Sequence, residues 1–428
     1  MKSLQAMRTP VEDALIAEAA RSAGANDNRS PLRTKGLQQL QEYGLPHRRV
    51  EQWKYTDLRS FWREPLAVAQ KPNEALIAAA KQLPPAFDAE RIGLSFVNGH
   101  FIQASELPKG MEVISLEKEN NVKILANALE GWNDPLLALN SAFLNAGAVI
   151  RLAKNAVIEK IIHLDFRTVG SASASYPRII VLIEEGARGT FFETHVSAEE
   201  TYACNGVVMF ICAKDSRVDH IRMQAQSKKT IHVLSSVIEL GKNTNFNSFA
   251  LEQGSGLSRN QYFIRQKGEN AQIGLAGVTL AAGKQHLDTT LIVDHAVPHG
   301  VSREQFRQVI ANEARGVFQG KVIVRPHAQK ADGRMNARGL LLSESAEFYA
   351  KPELEIYADD VLCAHGATAG QLDQDLLFYL RARGINEHAA KALLTKAFLA
   401  EPVEQIANEA LRAAMMARCE AWLSENFA

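Results

Sequence analysis

Arg178 to Glu193 reads RIIVLIEEGARGTFFE, and Val207 to Arg222 reads VVMFICAKDSRVDHIR. Each is a β-branched apolar run, a short polar turn and a second run. Two more units follow, around LGKNTNFNSF and QKGENAQIGL. Their turn residues Gly186, Asp215, Gly241 and Gly268 recur at intervals of 29, 26 and 27. Apolar runs bounded by turn residues read as strands, and no long helical pattern interrupts them, which counts against alternating βαβ units. A β-sandwich of similar strand content fits part of the pattern. The recurrence favours a chain that coils through a few strands per turn and stacks on itself, a parallel β-helix.

Working outward, further runs extend the coil to VIEKIIHLDF on one side and to VTLAA, TTLIVDH and KVIV on the other. Val301 to Ala314 (VSREQFRQVIANEA) is ambiguous, because Ser302 and Gln305 also fit a helix capping box. The limits of the coil are about residues 149 and 370. Before it, residues 1–84 are expected to be helical and 85–148 a small mixed region. In the first, Leu15, Ile16 and Ala19 share one helical face, and Leu37, Leu40 and Tyr43 share another. The run from Gly24 to Ser30 between them reads as a mobile linker. In the second, Asn98-Gly99 suits the positive φ angles of a type I′ hairpin turn inside IGLSFVNGHFIQ, and a helix is expected near Leu136 to Leu144. After Gln371, residues 371–428 are helical: about Asp373 to Arg383, then Glu387 to Leu399, then a third helix from near Pro402.

The coil hands over to helix inside Lys351 to Ile385, and two residues of ligand type lie there. Cys363 and His365 are two apart, so on a strand both project from one face. Thiolate with imidazole suits zinc or an iron–sulfur species, but two ligands do not close a site that needs four. A buried structural pair is the plainer reading of the residues alone. Asp359 and Asp360 read as turn chemistry. Cys204, Cys212 and Cys419 read as core thiols, and the histidines from His195 to His327 as strand residues. Trp53, Tyr55, Phe61 and Trp62 read as packing, or else as a partner contact.

Three blocks carry a resemblance: KPELEIYADDV, CAHGATAGQLD and LFYLRARGI. A fourth, GLPHRRVEQWKYTDL (Gly44 to Leu58), adds to it, with VNGHF, ALNSAF and ARGVFQGKVIV. Together they resemble the SufD family of iron–sulfur cluster assembly scaffolds. The resemblance implies a mainly β protein: a right-handed parallel β-helix flanked by an N-terminal helical and mixed region and a C-terminal helical domain. It implies pairing with a SufB-like paralogue, with His365, and less surely Cys363, at the shared interface where a transient iron–sulfur cluster forms. No cofactor would be held permanently. It further implies a dock for a SufC-like ABC-type ATPase on the C-terminal helices, where Leu372, Phe378, Tyr379, Arg381 and Arg383 are the candidate contacts. ATP binding by that subunit would pull on the pair and open the interface. A homodimer in the partner's absence fits the same surface.

Composition agrees. The 428 residues carry 48 basic and 48 acidic side chains, which gives no net basic face for nucleic acid. No apolar run is long enough to span a membrane, and the N-terminus lacks the apolar core of an export signal. A cytoplasmic protein is expected. No GxxxxGK[ST] loop is present, since Gly277 to Lys284 has the wrong spacing and Gln285 follows; HExxH and GxSxG are also absent. Any ATP the work needs must therefore enter on another subunit, and the chain is expected not to be an enzyme. Two competitors stay open. A SufB-type paralogue would carry more cluster ligands than these four cysteines offer, and a β-helix enzyme acting on polysaccharide would need clustered carboxylates.

Overall fold

The computed structural model describes residues 8–25, 27–84, 89–126 and 129–426. From Ala146 to Gly370 the chain coils through two strands per turn. The first sheet stacks Ala146–Leu152, Pro177–Ile183, Tyr202–Cys212, Ile231–Leu240, Leu257–Gln266, His286–His295, Arg315–Val324 and Glu347–Ile356. The second stacks Val157–Thr168, Arg188–Ser197, Arg217–Ala225, Asn245–Glu252, Gln272–Ala281, Val301–Ile310, Asp332–Leu341 and Leu362–Gly370. Successive strands within each sheet are parallel and almost everywhere in register, so like positions form columns along the stack. The protein is thus a β-solenoid with two walls. The ambiguous Val301 segment is strand; the Ser302 hydroxyl bonds His295 Nε2 at 3.0 Å inside the coil instead of capping a helix.

Period-2 alternation gives each wall an inner and an outer face. Inner columns such as Val181, Phe210, Ile238, Ile264, Val293 and Val322 meet Leu164, Phe191, Phe246, Leu275 and Phe306 from the opposite wall. The turn at one corner repeats a residue with positive φ: Asn155, Gly186, Asp215, Asn243, Asn270, His299 and Lys330, spaced 27 to 31 apart. Asn270 donates to the side-chain oxygen of Asn243 at 3.2 Å, and Asn243 to Asp215 at 2.9 Å, so the corner is itself a ladder. Gly241 and Gly268 stand two residues before the left-handed positions. They are needed for close approach: a Cβ on Gly268 would fall 1.9 Å from the Lys242 nitrogen.

Strands from residues 85–148 join both walls before the first coil. Arg91–Val97 and His100–Ala104 form the hairpin expected at Asn98-Gly99, with φ of 51° and 85°. Arg91–Val97 pairs in parallel with Val157–Thr168, and Met111–Ser115 runs antiparallel to Ala146–Leu152. Helices Pro10–Ala23, Ser30–Tyr43 and Pro135–Ala142 pack together over the first wall. Residue 26, in the turn between the first two, lies outside the described residues. Asp27 pairs there with Arg29 and Arg33, which replaces the mobile linker expected from composition. Trp53 is fully buried beneath the Arg259 guanidinium, 3.8 Å from its ring, and Trp62 is buried too, so these two are packing, whereas Phe61 is exposed and Tyr55 is half-buried, stacked on Tyr349.

The C-terminal helices are Gln374–Ala382, Glu387–Val403 and Glu409–Asn426. Asp373 and Asn386 cap the first two as expected. Pro402 lies inside the last turn of the second helix instead of opening the third; the N-cap of the third is Asn408, whose side chain accepts from the Leu411 N–H at 3.0 Å. These helices do not close the end of the stack. Leu399, Val403, Leu411, Met415 and Trp422 lie along the outer face of the second wall, on Phe192, Ile221, Phe249 and Val278.

Candidate functional site at the open end of the solenoid

The last strand of each wall, Glu347–Ile356 and Leu362–Gly370, has a neighbour on one side only among the described residues. Leu362, Tyr357, Ile356 and Tyr349 are exposed around this end. A bare row of backbone donors and acceptors flanked by apolar side chains is a template for pairing with another chain.

Cys363 and His365 sit on this edge and face the mouth of the coil. Cys363 lies in register with Gly333, and His365 with Met335, whose side chain belongs to the interior core. The thiol is half-buried against that core, and a Cβ on Gly333 would stand 3.7 Å from its sulfur. His365 is exposed. Burial raises the Cys363 thiol above its ordinary 9.0, and the nearby Asp332 and Glu304 carboxyls add to the effect. In the free chain it is therefore a protonated thiol, and a metal would have to displace the proton to bind. The edge thus supplies a thiol and an imidazole side by side, one turn above a closed interior. Asp359 and Asp360 form the last corner: Asp360 pairs with Lys330, and its N–H donates to Gln329 Oε1 at 3.0 Å.

The interior below the mouth is polar in a way the sequence did not reveal. Glu304, two strands beneath His365 in the same column, is fully buried, and neither carboxyl oxygen has a hydrogen-bond partner. Burial pushes its carboxyl up from 4.5 to about 8, so it is largely neutral at pH 7. Deeper in the coil, His195 and His220 donate to the two oxygens of Glu193 at 2.5 and 2.9 Å. Burial would raise the Glu193 carboxyl, but these two hydrogen bonds hold it well below 4.5. His232 packs edge-on against His195 with ring centroids 4.8 Å apart. Histidines scattered through the sequence therefore do share an inner face. Only the i, i+2 spacing of Glu193 and His195 hinted at it, and spacing cannot tell the inner face of a wall from an outer face that helices cover. Among the described residues no three His, Cys, Asp or Glu side chains are arranged to hold a metal ion. Cys204, Cys212 and Cys419 are buried, and burial pushes their thiols up to about 11, 12 and 12.

On the first C-terminal helix Leu377 is buried while Leu376, Phe378 and Tyr379 are exposed, Phe378 by 74%. Arg383 donates to the Tyr379 hydroxyl at 2.8 Å and its guanidinium stacks 4.9 Å from that ring. Arg381 pairs with Glu387 at 3.4 Å. Leu372 turns inward onto the cluster that holds these helices to the wall.

The fold and its mouth define a class: a β-solenoid whose final coil ends in an unpaired edge bearing ligand-type side chains. Residues 166–398 match the family model described as SUF system FeS cluster assembly, SufBD core domain, and residues 18–164 match the SufBD protein N-terminal region. The chain belongs to the SufBD family. Among its relatives, an iron–sulfur cluster assembly SufBD family protein of Synechocystis is 31% identical over 425 residues, covering 94% of this chain and 90% of the relative. The iron–sulfur cluster assembly protein SufD of Escherichia coli is 28% identical over 403 residues, covering 91% and 92%. The likeness is to SufD, as the residues at the mouth suggested. No helix among the described residues is long and apolar enough to cross a membrane.

Proposed function

We propose that this chain is the SufD-type scaffold subunit of a cytoplasmic iron–sulfur cluster assembly complex, without catalytic chemistry of its own. A SufB-like partner pairs with the open end of the coil, and its residues complete the ligand set that His365 and Cys363 begin. The cluster is cargo built at that seam; the chain holds none permanently. A SufC-like ATPase docks on the exposed face of the first C-terminal helix, through Phe378 and Tyr379 with Arg381 and Arg383 at the rim and Leu372 anchoring the helix beneath.

One observation carries the reading: an exposed imidazole and a half-buried thiol share an edge strand that, among the described residues, lacks a neighbour on its outer side. The buried, protonated state of the other three thiols favours a SufD over a SufB role, since they are inert where they lie. The test is His365→Ala in the purified three-component complex. Cluster yield is expected to fall about tenfold or more while subunit stoichiometry and the unfolding midpoint of the chain are unchanged. Undiminished yield would remove His365 from the seam.

A further inference from the structure

Beyond the short connection from Gly370 to Gln374, a buried guanidinium links the C-terminal helices to the wall beside the mouth. Arg307, on the outer face of Val301–Ile310, is about as buried as Phe191 although it carries a full charge. Its Nη2 pairs with Glu401 of the Glu387–Val403 helix, and its Nη1 donates to Asn336 Oδ1 at 2.8 Å and to the Phe306 carbonyl at 3.0 Å. The Phe398 ring covers it, 5.7 Å away. Gln405, two residues past the end of that helix, donates to Gln305 on the same strand as Arg307. Asn336 stands on Asp332–Leu341 directly alongside Gly366 of the final strand. Gly366 follows His365 in the chain, and a Cβ there would lie 3.6 Å from Asn336 Nδ2. The connection therefore runs from helix to guanidinium to the Asn336 amide, and from Asn336 to the edge strand through the main-chain pairing of the two strands.

The chemistry makes this contact stiff. Glu401 is 57% exposed, but the guanidinium it pairs with is buried, so parting the two leaves an unpaired charge in the wall and a shift of the helix draws on Arg307. Its second fork is committed to Asn336, and the planar guanidinium transmits direction as well as distance. We propose that Arg307 and Asn336 are positioning residues that tie the His365 strand to the C-terminal helices, so that a load on those helices is felt at the mouth. The inference rests on the reading that the mouth is where a partner completes the site.

The test uses the full chain alone and reads amide exchange in the Leu362–Gly370 strand. Asn336→Ala and Glu401→Ala are each expected to speed exchange there by about threefold or more, while the central strand Leu257–Gln266 stays as slow as in the parent. Because both act on one connection, the double variant should exchange no faster than the quicker single one. Asn336→Asp keeps an acceptor for Arg307 and should restore the parent rate. Should Glu401→Ala loosen the central strand as well, Glu401→Gln replaces it. Additive effects, or edge exchange indifferent to position 401, would overturn the proposal. Since no partner takes part, either result leaves the His365→Ala experiment to stand or fall by itself.

Discussion

Glu304→Gln offers a quantitative probe of the interior beneath the mouth. The folded chain holds this carboxyl near 8, against 4.5 for an ordinary glutamate. The shift is upward, so the neutral form is the one the fold favours. The stabilising contribution is fully present below pH 4.5, is lost as pH rises, and is gone above about 8. At about 1.4 kcal/mol per pH unit within that window, the parent should lose about 4 kcal/mol between pH 5 and pH 9 from this group alone. Glutamine has the same shape and no titration, but it brings an amide into a place without partners, at a cost of about 1–3 kcal/mol. The variant should therefore be less stable than the parent at pH 5 and more stable at pH 9, with the two curves crossing between. Urea unfolding at a series of pH values reads this directly, the difference between proteins cancelling every other titration. Parallel curves would refute the reasoning and mean that the carboxyl is ionised and solvated in the fold.

Two further outcomes follow from the packing. Phe378→Asp should leave the unfolding free energy within about 0.5 kcal/mol of the parent, because the residue is 74% exposed, yet weaken ATPase recovery in pull-downs about tenfold or more; truncation after residue 370 is a poor substitute, since it bares the apolar outer face of the second wall. Gly268→Ala should destabilise by about 3 kcal/mol or more, measured by the same unfolding assay, because its Cβ would meet the backbone of the coil below and backbone cannot step aside.

Much of the architecture was legible because a solenoid writes itself as a repeat. The runs around Gly186 and Asp215 have the right period and the right corner, and the left-handed residues prove to be Asn243 and Asn270 where glycine had drawn attention to positions 241 and 268. Asparagine tolerates that conformation, and its side chain also builds the corner ladder, an advantage invisible in one repeat. Cys363 and His365 drew attention as ligand types two apart on a strand, but spacing alone favoured a buried structural pair and only the family resemblance placed them at an interface; the exposure of His365 depends on the coil ending there, which the handover to helix at Gln371 only suggests. The placement of the C-terminal helices was not legible: an apolar helix face fits the side of a wall as well as its end. The polar interior was hidden for a related reason. Both faces of the second wall are buried, so alternation cannot say whether Glu304 or Arg307 points inward, and only the fold shows that one does and the other is clasped by a helix.

The account stands on the open edge being finished by another chain. The most direct measurement is amide exchange across Leu362–Gly370 in the chain alone and after addition of the SufB-like subunit. The account predicts that amides on the unpaired side of this strand exchange fast in isolation, unlike those bonded to Asp332–Leu341, and become protected when the partner binds. A complex that forms while the strand continues to exchange at its free rate would contradict it.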